Sequence, residues 1–178
     1  MLDGSDGGSA MDRQTRPYPV TRVELHLDVS YQGFTHAFEA LLGRMNAAVL
    51  GDLRSLSPEA ARARLASFVG PLDFTLFHEI DHGAVLAGIY GRSAHAMTYV
   101  FGNALIAVEM TKHDARAGLY VPLRLFVEEV IEGKVRVTYD LPSSLIAQFG
   151  SPDADTVARG LDAKVQRLLD ATVARARS

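Results

Sequence analysis

A period of two constrains this chain more than anything else in its sequence. Val23, Leu25, Leu27 and Val29 alternate with Arg22, Glu24, His26 and Asp28. The alternation returns over Leu123–Ile131 and, past the tight turn Glu132-Gly133, at Val135, Val137 and Tyr139. Successive side chains of a strand point to opposite faces, so the pattern describes half-buried strands, the last two joined as a hairpin. A sheet built this way is apolar on one face and needs cover there.

Stretches of helical period supply the cover. Phe34, Phe38, Leu41, Leu42 and Met45 follow helical spacing, with Ser30 placed to cap them. Ser57-Pro58-Glu59 opens a second helix that carries Leu65, Phe68 and Val69 inward and stops at Gly70-Pro71. Asn103 caps an apolar helix over 104–113 that presents Leu105, Ile106, Val108 and Met110. Ser151-Pro152-Asp153 repeats the start signal, and Val157, Leu161, Val165, Leu168 and Leu169 form one face of a final helix. Strand character also marks Phe74 to Ile80 and His95 to Phe101, where Met97, Tyr99 and Phe101 oppose Ala96, Thr98 and Val100. The expected fold is α+β, a mostly antiparallel sheet of about five strands with helices packed on one face.

Composition narrows the function classes. The chain has 178 residues, 48% of them apolar, which suits one domain over 17–178. Residues 1–16, rich in Gly, Ser and Asp at their start, read as a flexible tail, and Met11 is an alternative start. The net charge of −3 gives no basic field, so no nucleic-acid partner is expected. There is no cysteine, hence no disulfide framework or thiolate metal site. No apolar run approaches the roughly 18–20 residues that span a bilayer, and no secretory pattern opens the chain, so a cytoplasmic protein without a membrane anchor is expected.

Four of the six histidines fall between positions 78 and 113. His78-Glu79-Ile80-Asp81-His82 matches the H-E-x-x-H of zinc proteases, which needs both histidines on one helical face. The strand period ahead of it opposes that: on a strand the two histidines stand about 13 Å apart at the usual rise. No zinc site is therefore expected. Two readings of Asp81 and His82 stay open. Asp81 either caps a short helix begun by His82-Gly83-Ala84, making a structural corner, or orients His82 as an acid, base or metal-centre ligand facing a pocket.

Four ordered segments carry a resemblance: Ile80-Asp81-His82-Gly83-Ala84, Tyr99-Val100-Phe101-Gly102-Asn103, Leu119-Tyr120-Val121-Pro122-Leu123-Arg124, and Val137-Thr138-Tyr139-Asp140 with Pro142-Ser143-Ser144 after it. Together they resemble the domain-of-unknown-function 302 family, most clearly over residues 70 to 150. The chain departs from it at Ala104, where the family usually has proline. The resemblance implies a compact α+β sandwich and a homodimer, and it implies no reaction. Its pattern includes His82 but neither His78 nor Glu79.

The remaining residues have plain readings. Gly102-Asn103 forms a cap or an anion-facing helix start; Ser143-Ser144 are turn residues without a nucleophile elbow. His113 suits the negative end of its helix dipole, His95 the wet end of a strand, and His26 and His36 the surface. Tyr120, Phe126 and Tyr139 line a cavity or fill core and interface. Three functions follow. The first is a homodimer holding a small apolar molecule or planar cofactor among Met97, Tyr99, Phe101 and Met110, with His82, His95 or His113 as the axial ligand of a haem. The second is a hydrolase or isomerase with Asp81 and His82 as its catalytic pair, and the third is a structural dimer module in which the Tyr120–Arg124 segment and the Leu105 helix serve the interface.

Overall fold

The computed structural model describes residues 12–46 and 48–178. The expected tail over 1–16 therefore lies mostly outside the described residues, and 12–16 have no regular structure. In chain order the elements are β1 (Arg22–Leu27), α1 (Tyr31–Ala40), β2 (Gly43–Arg44), α2 (Ala48–Asp52), α3 (Pro58–Ala66), β3 (Thr75–Asp81) and α4 (His82–Tyr90). Then follow β4 (Ala96–Gly102), α5 (Ala104–Thr111), β5 (Leu123–Ile131), β6 (Lys134–Asp140), α6 (Pro142–Ile146) and α7 (Pro152–Ala176).

The strands form one sheet in the order β1-β6-β5-β4-β3-β2, antiparallel except for the parallel pair β2 and β3. It has six strands where the sequence suggests about five. The extra one, β2, occupies Gly43-Arg44, inside the stretch whose spacing reads as helix up to Met45. Backbone packing ends α1 early. Gly43 donates to the Phe74 carbonyl at 2.9 Å, and a Cβ there would stand 1.8 Å from the Phe68 carbonyl oxygen. Two residues are too few to leave a periodic signal.

The register sets the faces. Met97, Tyr99 and Phe101 of β4 pair with Val127, Leu125 and Leu123 of β5, and Val137 and Tyr139 of β6 continue the rows. These side chains meet Phe34 and Phe38 of α1, Met110 of α5 and Val165, Leu168 and Leu169 of α7 in the core. The alternate positions, among them Thr98, Arg124, Phe126, Arg136 and Thr138, form the other, open face. There Arg22 pairs with Asp140 and Arg136 with Glu128. Caps hold the helices as their spacing predicts: Ser30 accepts from Gly33, Ser57 from Ala60 and Ser151 from Ala154. Among the described residues no helix is long and apolar enough to cross a membrane.

Candidate functional site

The corner at Asp81 and His82 forms where β3 runs straight into α4. Asp81 ends the strand and caps the helix, its Oδ1 accepting from the Ala84 amide at 2.8 Å. Gly83 makes the turn possible, because a Cβ there would lie 2.2 Å from the Ala94 carbonyl oxygen. The helix begun by His82-Gly83-Ala84 is nine residues long and stops at Gly91 in the left-handed region. His78 lies on the strand and His82 opens the helix, so the H-E-x-x-H match has no helical face to share.

His82 itself is exposed. Its Nε2 stands 3.0 Å from the Thr98 hydroxyl, and its ring meets Phe126 edge to face at 5.9 Å between centroids. Asp81 turns its carboxylate to the helix amide, and the described residues hold no hydrogen bond between Asp81 and His82. The capping role of Asp81 thus leaves His82 oriented by Thr98.

The other histidines stand elsewhere. His95 sits at the exposed start of β4, edge-on to Tyr31 at 5.0 Å. His113 follows the end of α5, its Nδ1 3.7 Å from a carboxylate oxygen of Asp153 at the start of α7. Tyr99, Phe101 and Met110 are core residues, and Met97 is half-buried beside them. His82, His95 and His113 therefore have three separate surroundings. Among the described residues no group of three or more His, Asp or Glu side chains is placed to hold a metal ion.

One polar network escapes sequence reasoning. The buried Tyr99 hydroxyl donates to Glu39 at 2.8 Å, while Arg44 bridges Glu39 and Glu79 at 3.1 and 3.2 Å. Burial, then the bond to Glu39, pushes the Tyr99 phenol well above the ordinary tyrosine range. Nearby, Tyr31 is pushed up to about 12 by burial and then by the charges of Asp81, Glu39 and Glu129. These groups come from separate elements, and no spacing along the chain connects them.

A site shaped for an apolar ligand lies under α5. A cavity of about 430 Å³ is bounded by Phe77, Gly102, Ile106, Met110, Pro122 and Leu161, with Leu50 of α2 also in its wall. A register shift between Leu76 and His78 marks a bulge at Phe77 in β3, a device that re-aims side chains. The Phe77 ring and Pro122, which follows a cis peptide bond from Val121, both lie against Gly102. Asn103 stands at the wall, but its amide is committed: Oδ1 accepts from Leu105 and Ile106, and Nδ2 donates to the Asp73 carbonyl. What faces the cavity is almost entirely hydrocarbon. Of the residues singled out in the sequence for a ligand, Met110 lines this cavity, and none of the histidines does.

The model of the family described as "Domain of unknown function DUF302" matches residues 52–172. A crystal structure of an uncharacterized conserved DUF302 protein from Bacillus stearothermophilus superposes with a TM-score of 0.58 at 12% identity, covering 84% of this chain and 96% of that one. At that identity the likeness concerns the fold. No curated protein matches the sequence.

Proposed function

The chain belongs to the DUF302 family, and from that premise we propose that it binds a small apolar molecule in the cavity under α5. The observation that carries this reading is the cavity itself. Its volume of about 430 Å³ falls within the range of small-molecule sites, and its walls are hydrocarbon with few free polar groups. Burying a charged or strongly polar ligand there would leave its polar atoms without partners, a cost an apolar ligand avoids.

The haem and general-base alternatives draw less support from the geometry. A histidine axial ligand has no place in the cavity wall, and Asp81 spends its carboxylate on the α4 cap.

Saturable fluorescence of the neutral probe N-phenyl-1-naphthylamine tests the reading. Ala107→Phe projects bulk into the cavity. Gly102→Ala gives a milder filling, since its Cβ meets Pro122 and Phe77 at 3.5 and 3.6 Å, ordinary contact distances. Both should lower probe affinity with the fold intact by circular dichroism, Ala107→Phe more strongly. Binding that ignores both substitutions would refute the cavity as the site.

We place self-association, as a homodimer, on α4. Val85, Ile89 and Tyr90 are exposed at 53%, 68% and 72%, and the helix has no charged side chain to repel a second copy after His82. Sedimentation should give a dimer that Ile89→Lys converts to monomer. A wild-type chain that sediments as a monomer at high concentration ends this part of the reading.

A further inference from the structure

We propose that the open face of the sheet holds a second site, for a planar aromatic monocarboxylate, centred on Phe126 and Arg124. A cleft of about 350 Å³ opens there between strands β4, β5 and β6, walled by Thr98, Phe126, Thr138 and Arg124. It shares no residue with the cavity under α5.

The register explains the grouping. Thr98, Phe126 and Thr138 are paired across three adjacent strands, so two hydroxyls flank one aromatic ring in a single row. Arg124 is two residues from Phe126 on the same strand and hence on the same face. His82 reaches the row from α4, bonded to Thr98 and edge-on to Phe126. A row of this kind offers an aromatic wall, three hydroxyl or imidazole partners and one guanidinium.

Charge selects the ligand. The face carries other arginines, but Arg22 is engaged by Asp140 and Arg136 by Glu128. Arg124 has no carboxylate partner among the described residues. A guanidinium fork matches a carboxylate with two parallel hydrogen bonds. Arg22 and Asp140 in the cleft wall neutralise each other, which leaves the single charge of Arg124, so a monocarboxylate is matched there and a phosphate dianion is not. A flat ring attached to that carboxylate lies against Phe126 between the two threonines.

Nuclear magnetic resonance titration of the full chain with 2-naphthoate tests the site, with 2-naphthamide as the uncharged counterpart. Shift changes should centre on Thr98, Phe126, Thr138 and the His82 ring. Arg124→Gln, at an exposed position where the fold has little at stake, should weaken naphthoate about tenfold or more, the size expected for a hydrogen bond to a charged group. Naphthamide should bind the wild-type protein about as weakly as naphthoate binds the variant. Equal affinities for the two probes, or for wild type and Arg124→Gln, would overturn the proposal. Shifts confined to Ile106, Val108 and Thr111 would also overturn it, by assigning the probe to the cavity under α5.

Discussion

Helices α4 and α5 begin alike and end in opposite circumstances. Each follows directly from a strand, each is capped by the residue at the junction, Asp81 or Asn103, and each is mostly apolar. Yet α5 packs against α7 and α3 and buries Met110 completely, while α4 touches chiefly β4 and leaves Val85, Ile89 and Tyr90 in the open. Local sequence makes both helices. Whether an apolar helix becomes core or surface is settled by what the rest of the chain brings to it.

Core truncation should show the contrast most strongly. Met110→Ala should cost about 2–5 kcal/mol, as buried large-to-small changes do, and Ile89→Ala, measured on the monomer, should stay within about 0.5 kcal/mol, as at open surface positions. Urea midpoints measure both. If Ile89→Ala costs as much as Met110→Ala even at a protein concentration where the chain is monomeric, another part of the same chain covers α4 and the contrast collapses.

The caps give a smaller difference. Asn103 satisfies two helix amides and donates to Asp73, whereas Asp81 satisfies one amide. Alanine at 103 should therefore cost near the upper end of capping losses, about 2 kcal/mol, and alanine at 81 about 1 kcal/mol. Equal losses would mean that the extra Asn103 bonds contribute nothing.

Alkaline pH reads the start of α4. Tyr31 in the fold titrates at about 12 against 10.0 for an ordinary tyrosine. A raised value favours the protonated phenol in the fold, so its stabilising contribution is whole below pH 10. It is lost as pH rises toward 12, because the unfolded chain gives up its proton first. Asp81→Asn keeps a good cap but removes one of the charges that raise Tyr31. Ultraviolet titration of the phenol should then show a lower value, and an unchanged one would mean that the Asp81 charge does not reach Tyr31.

Much of the architecture was legible in the chain. The period-two runs at Val23–Val29 and Val135–Tyr139 placed strands and chose their buried face, and Ser30, Ser57, Asp81, Asn103 and Ser151 all cap helices as their positions suggest. These signals are local: a cap bonds amides two or three residues away, and a strand's faces follow from its own alternation. The site was less legible. His82, His95 and His113 are near in sequence, but a strand, a helix and a loop separate them in space.

The sequence by itself determined helices α1, α3, α5 and α7, five of the strands and the apolar face of the sheet, while it left Asp81 open between a cap and a catalytic pair and read Ser143-Ser144 of α6 as a turn. Only the tertiary structure decided that Gly43-Arg44 pairs with β3, that Tyr99 finds Glu39, that Phe77 lies against Gly102, and that α5 is core while α4 is not. The reason is range. Propensity and periodicity act over a few residues, whereas cavities, buried networks and helix cover arise from contacts between segments whose meeting no local pattern encodes.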